Sequence, residues 1–151
     1  MRYLIGIGNY TGLDDSIGLR IAERIAEESL ERGFRAIDMG GNLLDLVHYL
    51  GDETEAVLMV DSARMGLEPG EYAFFTPDQV ATRKELAGFS THEGDLLKVL
   101  EFAAALGQLP LVTIMGIEPA EIRNEVGLSS VVEARLRDYI DAAVGFIAPG
   151  A

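Results

Sequence analysis

The chain has 151 residues, of which 48% are hydrophobic and 25% are charged, a balance typical of one compact globular domain over residues 1–151. Its formal net charge of -13, from 25 acidic and 12 basic side chains, argues against nucleic acid and anionic membranes as partners, because phosphate binding needs clustered cations. There are no cysteines, so disulfides and thiolate metal ligands are excluded, and any metal site must use oxygen and imidazole donors.

The N-terminal part of the chain predicts a strand, a loop and a helix. Residues 3–7 form a short apolar run. Isoleucine then recurs at near-helical spacing from Ile17 to Ile25, which predicts a helix over residues 16–32 with Gly33 as its C-cap. The first residues lack a signal-peptide pattern, and no apolar run approaches the roughly 20 residues of a membrane span. We therefore expect a soluble, cytoplasmic protein without membrane insertion.

The middle of the chain predicts three more strands and a helix. Residues 34–39 predict a short strand, and Asn42 is a candidate cap for a helix that reaches residue 50. The apolar run over residues 56–60 is continuous rather than alternating, which is typical of a central parallel strand. Residues 71–75 predict a further strand at an antiparallel edge.

The C-terminal half predicts a long loop and then helix, strand and helix. The loop covers residues 77–90, where no hydrophobic period is sustained and there is room for at most one helical turn. Helices are predicted over residues 94–106 and 129–146, with a strand over residues 111–116 between them. Strands that alternate with helices are typical of an α/β fold. We expect a single three-layer domain, with a mostly parallel twisted sheet and helices on both faces.

Three aspartates follow apolar strands. Asp14 and Asp15 lie after the first strand, and Asp61 directly follows the strand over residues 56–60. Acidic residues at the carboxyl ends of parallel strands lie at the ligand-binding edge of such sheets, so these carboxylates can converge. One of Asp14 and Asp15 can instead be a charge at the N-terminus of the following helix, worth about 0.3–1 kcal/mol. Asp61 follows five apolar residues, so we expect it to be partly buried and to need a partner.

The chain has two histidines, His48 and His92, in different settings. His48 lies within a predicted helix, where a surface or half-buried imidazole is the better interpretation. His92 lies at a loop-to-helix junction, from which its side chain can reach the sheet edge, although most single histidines are not ligands. With Asp15 and Asp61 it completes an oxygen, oxygen, nitrogen set suited to Ni(II) or Zn(II), with positions left open for substrate.

Other site chemistries have little support in the sequence. Gly6 and Gly8 follow the first strand as in dinucleotide-binding domains, but Gly12 comes one residue late for that fingerprint. The Asp-Ser pairs are similar to those of aspartic proteases, in which two carboxylates activate water, but those enzymes are built from strands and their pairs continue with glycine. Zinc-peptidase, serine-hydrolase and phosphate-loop motifs are absent. Without an obvious covalent nucleophile, water is the expected one.

Eight short segments occur in an order and spacing that are specific jointly, although each is weak alone. They are Gly6-Ile7-Gly8-Asn9, Asp14-Asp15-Ser16-Ile17-Gly18, Asp38-Met39-Gly40-Gly41, Val60-Asp61-Ser62, Met65-Gly66-Leu67-Glu68-Pro69-Gly70-Glu71, Ser90-Thr91-His92, Met115-Gly116-Ile117-Glu118-Pro119 and Gly127-Leu128-Ser129. Together they resemble the hydrogenase maturation endopeptidases, cytoplasmic enzymes of bacteria and archaea that act on the large subunits of NiFe hydrogenases. The resemblance covers nearly the whole chain.

The resemblance implies a function and a site. The family's nickel-binding set falls on Asp15, Asp61 and His92. Asp38 matches an aspartate of an Asp-Gly-Gly motif that Met39 interrupts here, so it is either a further catalytic candidate or a strand-end carboxylate with structural hydrogen bonds. The implied enzyme is an aspartyl-type endopeptidase that recognises nickel already installed in the large-subunit precursor and removes a short C-terminal extension. The nickel then belongs to the substrate, and no organic cofactor is expected.

Two alternatives of other classes remain. A noncatalytic nickel-binding assembly factor or metallochaperone would use the same three residues and leave the precursor's tail intact. An α/β nucleotide-binding module would need phosphate contacts at Gly6 to Gly12, a loop without lysine or arginine. Neither alternative explains why the segments around Asp61 and His92 occur together.

Overall fold

A computed structural model describes residues 1–40, 43–79 and 93–150, and the strands in these ranges form one five-stranded sheet. The strands are β1 (Arg2–Ile7), β2 (Arg35–Gly40), β3 (Ala56–Ser62), β4 (Tyr72–Phe75) and β5 (Leu111–Ile117), in the spatial order β2-β1-β3-β5-β4. All neighbours pair in parallel except β4, which is antiparallel to β5. The predicted parallel sheet with an antiparallel edge strand is confirmed.

Helices cover both faces of this sheet. They are α1 (Ile17–Glu27), α2 (Glu93–Leu106), α3 (Ser130–Glu133) and α4 (Leu136–Ile147), with 3₁₀ helices over Leu13–Ser16 and Leu43–Tyr49. On one face, α1 and α4 pack in a hydrophobic core with Ala56, Leu58 and Val60 of β3. On the other face, α2 and the 3₁₀ helix Leu43–Tyr49 pack in a second core with Val57 and Met59. Because successive strand residues point to opposite faces, β3 is buried along its whole length. The predicted three-layer α/β fold is confirmed.

The first predicted helix is shorter than its hydrophobic pattern indicated. It ends at Glu27, where the Leu30 amide donates to the Ile25 carbonyl at 3.0 Å and the Ser29 amide donates to the Ala26 carbonyl at 3.2 Å. These two bonds, with Ser29 at φ 55°, form a Schellman motif. The prediction that Gly33 caps the helix was therefore wrong, because Ser29 adopts the left-handed conformation earlier in the chain.

The last predicted helix is interrupted after its first turn. The Arg135 amide donates to the Val132 carbonyl at 3.1 Å, a tighter i to i−3 bond, and α4 then begins at Leu136. The Arg135 side chain donates from Nη1 to the Gly70 carbonyl at 2.8 Å. The interruption thus coincides with a tertiary contact, which the apolar periodicity of residues 129–146 did not indicate.

The other helix predictions differ only in detail. The segment predicted as a helix up to residue 50 is a 3₁₀ helix, Leu43–Tyr49, and its predicted cap Asn42 lies outside the described residues. The predicted loop over 77–90 lies outside them except for residues 77–79, which are helical. Among the described residues, no helix is both long enough and apolar enough to cross a membrane.

The start of α1 lies directly on the backbone of β1 and β3. A Cβ atom on Gly18 would stand 2.1 Å from the Val60 carbonyl oxygen and 2.5 Å from that of Ile7. A Cβ atom on Gly6 would stand 2.2 Å from the Gly18 carbonyl oxygen. Only glycine fits at such distances, and the close approach places the preceding Leu13–Ser16 turn at the carboxyl edge of the sheet.

Candidate active site

Two buried carboxylates lie at the carboxyl ends of β1 and β3. Asp15, in the 3₁₀ turn after β1, is 9% exposed, and Asp61, near the end of β3, is 6% exposed. The hydroxyl of Ser62, the residue after Asp61, donates to Asp15 Oδ1 at 2.6 Å. This bond brings the Asp15 carboxylate to the end of the strand that carries Asp61.

Asp61 and Ser62 approach the edge from opposite faces of β3. Val57 and Met59 belong to the core under α2, so the alternation of strand side chains places Asp61 on the α2 face and Ser62 on the α1 face. The α2 helix begins at Glu93, one residue after the third predicted ligand, His92. His92 itself lies outside the described residues. His48 is exposed, as its interpretation as a surface histidine predicted.

The donor chemistry of the described edge fits part of a metal shell. Within residues 1–40, 43–79 and 93–150, no three histidine, cysteine, aspartate or glutamate side chains are grouped closely enough to hold an ion. Asp15 and Asp61 offer hard oxygen donors, and a borderline metal such as nickel would need nitrogen or sulfur donors beside them. The two carboxylates alone therefore cannot form a complete site.

Asp14, the neighbour of Asp15, has a structural role. It is fully buried, and its carboxylate accepts hydrogen bonds at 2.7–3.0 Å from the amides of Ala120, Glu121 and Ser129 and from the Ser129 hydroxyl. Ser129 is the N-cap of α3, so Asp14 does lie at a helix N-terminus. That helix is α3, however, and not the helix that follows Asp14 in sequence.

Asp38 lies at the same edge but apart from Asp61. Asp38 and Val60 both pair with Gly6, on opposite sides of β1, so β2 and β3 are about 10 Å apart there. Asp38 is exposed and accepts a hydrogen bond from the Tyr10 hydroxyl. Partial burial, followed by the hydrogen bonds to Asp38 and Glu23, raises the pKa of Tyr10 above its usual value, so this hydroxyl remains a donor. Asp38 therefore has the structural hydrogen bond that its alternative interpretation allowed.

Gly6, near the end of β1, and Gly8, just after it, both lie against the backbone of the segment that follows. A Cβ atom on Gly8 would stand 2.2 Å from the Asp15 carbonyl oxygen, just as Gly6 faces Gly18. Both glycines therefore allow the Leu13–Ser16 turn and the start of α1 to pack closely against the end of β1, which agrees with their interpretation as glycines that let the strand turn sharply into a loop.

Sequence reasoning missed two residues at this edge. It assigned no role to Ser62, which joins Asp15 to the end of β3. It also assigned none to Glu118, which is 7% exposed and whose carboxylate binds the segment that follows Asp61. The available signal was the one applied to Asp61, a carboxylate directly after a strand of apolar residues.

Solved structures share the fold of this chain. The hydrogenase maturation protease HybD from Thermococcus kodakarensis superposes with a TM-score of 0.82 at 21% identity, over 97% of this chain and 98% of that chain. The hydrogenase maturating endopeptidase HybD from E. coli superposes with a TM-score of 0.81 at 21% identity, over 96% and 90% of the two chains. The architecture is that of the α/β hydrogenase maturation endopeptidases.

Sequence comparison then assigns the family. Residues 19–145 match the family model described as hydrogenase maturation protease. The hydrogenase expression/formation protein HupD of Rhodobacter capsulatus is 30% identical over 82% of this chain and 60% of its own length. The hydrogenase 2 maturation protease of Escherichia coli is 25% identical over 93% of this chain and 87% of its own. The chain belongs to the hydrogenase maturation protease family, which confirms the resemblance inferred from its motifs.

Proposed function

We propose that this chain is an endopeptidase that removes the C-terminal extension of a nickel-loaded NiFe-hydrogenase large-subunit precursor and recognises the nickel through Asp15, Asp61 and His92. Family membership supports a maturation protease. The observation that carries the proposal is the 2.6 Å bond from Ser62 to Asp15, because it holds one buried carboxylate at the end of the strand that supplies the other. We place the reaction in the cytoplasm, the compartment that the resemblance implied.

In this proposal nickel is part of the substrate. Two carboxylates and one imidazole form an incomplete shell without thiolates, so the free enzyme should hold nickel weakly. The precursor's own ligands hold the metal, and the enzyme adds donors to it. A precursor without nickel then offers nothing for the three residues to bridge, which makes the metal a check that assembly is complete.

The hydrolysis itself needs water and a proton carrier. Water adds to the scissile carbonyl carbon, one of its protons passes to a base, and the leaving amine takes up a proton as the peptide bond breaks. Asp15 and Asp61 are the carboxylates at the described edge that can carry this proton. The chain offers no cysteine nucleophile, so no covalent intermediate is invoked.

The first prediction is that cleavage depends on nickel in the precursor. Precursor purified with nickel and without it is incubated with chelator-treated enzyme, and tail release is followed by mass spectrometry. We expect release only from the nickel-loaded precursor.

Asp61→Asn and His92→Ala should abolish release while the fold is kept, because ligands at an open site contribute more to function than to core packing.

One control variant and two possible outcomes test this prediction further. His48→Ala removes the other, exposed histidine and should leave tail release unchanged. Efficient cutting of nickel-free precursor at the native bond would overturn the nickel mechanism. An intact tail with nickel-loaded precursor and wild-type enzyme would favour the noncatalytic assembly factor instead.

A further inference from the structure

The loop that follows Asp61 is fixed at both ends to β5. This 63–71 loop begins with the Ala63 amide, which donates to the Ile117 carbonyl at 2.9 Å. At its other end, the Gly70 amide donates to the Glu118 carbonyl and the Glu118 amide donates to the Glu71 carbonyl, both at 2.8 Å. Both ends of the loop between β3 and β4 are therefore held by backbone hydrogen bonds at the end of β5.

The middle of the 63–71 loop is held by the buried side chain of Glu118. One carboxylate oxygen, Oε1, accepts the Met65 amide at 2.7 Å and the Leu67 amide at 3.1 Å. Hydrogen bonds to a charged acceptor are stronger than neutral ones, and the bond from Met65 has the short length typical of that class. Glu118 thus fixes the backbone of an otherwise exposed loop.

A third anchor comes from α4 and the residue before it. The Gly70 carbonyl accepts hydrogen bonds from Arg135 Nη1, at 2.8 Å, and from the Tyr139 hydroxyl. Because β5 and α4 both hold the 63–71 loop, it is a rigid platform rather than a mobile lid. Rigid platforms that carry exposed side chains are suited to substrate recognition.

This platform carries Met65 to a position beside Asp61. Asp61 pairs with Gly116 in the β3–β5 ladder, where strands are about 4.8 Å apart. A Cβ atom on Gly116 would stand 2.9 Å from Met65 Sδ. Residues paired in a parallel ladder project to the same face, so the Met65 thioether covers the position next to the Asp61 side chain.

Resting on the proposed function, we propose that Met65 determines specificity by contacting an apolar precursor side chain next to the scissile bond, and that Glu118 is the positioning residue for Met65. Met65 is half-buried: it packs against the core under α2, and part of the residue is exposed. Methionine is flexible and polarisable, which suits contact with aliphatic side chains. A glycine at position 116 leaves the room that this side chain occupies.

The test combines enzyme variants with precursor variants. The cut is first located by mass spectrometry of the tail released by wild-type enzyme, and each residue flanking it is then replaced by alanine in the precursor. Met65→Ala enzyme should lose about 10-fold or more in kcat/KM toward the unmodified precursor. It should lose little further when the one flanking residue that contacts Met65 is already alanine. Met65→Leu, of similar volume, should remain close to wild type.

The positioning role of Glu118 has its own readout. Glu118→Ala should speed amide hydrogen exchange at Met65 and Leu67 and raise KM more than it lowers kcat, because it loosens a binding surface. Glu118→Gln keeps a side-chain oxygen that can accept these amides, and should recover much of both properties.

The outcomes separate this inference from the proposed function. Loss of kcat/KM in Met65→Ala by the same factor for every precursor, or no loss at all, would overturn the specificity role while tail release by wild-type enzyme still supported the protease. Unchanged exchange in Glu118→Ala would overturn the positioning role. Failure of the wild-type enzyme to cut any nickel-loaded precursor would overturn both proposals together.

Discussion

Two adjacent aspartates in this chain have different environments. Asp14 is fully buried and accepts four hydrogen bonds from residues 120–129, whereas Asp15 is turned toward Ser62 at the sheet edge. The difference follows from the 3₁₀ turn, Leu13–Ser16, in which successive side chains point in different directions. Stability should therefore depend on the first aspartate and activity on the second.

We predict that Asp14→Asn lowers the free energy of unfolding by about 2 kcal/mol or more, because an amide group must then face at least one buried amide or hydroxyl donor. Both carboxylate oxygens accept such donors, so neither orientation of the asparagine avoids the conflict. Urea unfolding followed by circular dichroism measures the change. Asp15→Asn is the matched control, since its oxygen can still accept the Ser62 hydroxyl, and it should lose tail release while losing less stability than Asp14→Asn. Wild-type stability in Asp14→Asn would contradict the structural role.

At the scale of elements, the candidate site depends on how closely α1 approaches the sheet. The contact of Gly18 with the backbone of β1 and β3 sets the height of the 3₁₀ turn above the edge. A wider spacing would carry Asp15 away from Ser62. Gly18, which lies against Val60 next to Asp61, is therefore linked to the geometry of the carboxylates.

Gly18→Ala should destabilise the protein by about 1–3 kcal/mol or more, because the new methyl group overlaps carbonyl oxygens of β1 and β3. It should also reduce tail release by the molecules that remain folded. Gly145→Ala in α4 is the matched control, because a Cβ atom there meets open space, and it should stabilise the protein by about 0.5–1 kcal/mol. Thermal unfolding of both variants measures these changes. Equal melting temperatures of Gly18→Ala and Gly145→Ala would show that the close approach of α1 to the sheet does not contribute to stability.

The contact between Tyr139 of α4 and the 63–71 loop should make the free energy of unfolding fall as the pH becomes alkaline. Burial raises the pKa of Tyr139 to about 12, whereas an unfolded tyrosine ionises near about 10. A raised tyrosine pKa means that the folded state favours the neutral phenol, which donates to Gly70. Its contribution is therefore complete below pH about 10 and is lost as the pH rises toward about 12.

Tyr139→Phe tests this linkage. The variant should be less stable than wild type at pH 8, and the gap between the two melting temperatures should narrow between pH 10 and 12. Since other tyrosines and lysines titrate in both proteins, the difference between the curves isolates Tyr139. Parallel curves over that range would contradict the assignment.

At the scale of the whole molecule, the net charge of -13 is the dominant electrostatic feature. In each described ion pair, such as Arg137 with Glu28 at 2.9 Å, at least one of the two side chains is about a third or more exposed. Surface pairs of this kind contribute little to the free energy of unfolding. Repulsion among the excess carboxylates should therefore outweigh them in dilute salt.

We expect the melting temperature at neutral pH to rise by about 2–4 °C, equivalent to about 1 kcal/mol, when the ionic strength increases from low to physiological values. Sodium chloride and choline chloride should act alike, because screening depends on ionic strength rather than on the cation. A fall in melting temperature with salt would show that the surface ion pairs outweigh the repulsion.

Much of the fold was predictable because its signals are local. The continuous apolar run of β3 and the spacing of isoleucines in α1 each follow from the periods of strands and helices. The rule that parallel strands share a carboxyl edge also anticipated that Asp15 and Asp61 would lie at the same end of the sheet. The end of α1 before Ser29 and the interruption at Arg135 were missed, because a left-handed serine and a tertiary contact of an arginine leave no hydrophobic pattern.

The sequence by itself therefore determined the α/β class, the strand ends that carry acidic residues and, through its ordered motifs, the family. Only the tertiary structure showed the structural partners of Asp14 and the roles of Ser62 and Glu118. The physical reason is distance along the chain. The partners of these side chains lie 47 residues away for Ser62 with Asp15, 53 for Glu118 with Met65 and 115 for Asp14 with Ser129. Such pairs form only when the order of the strands brings their ends to one edge.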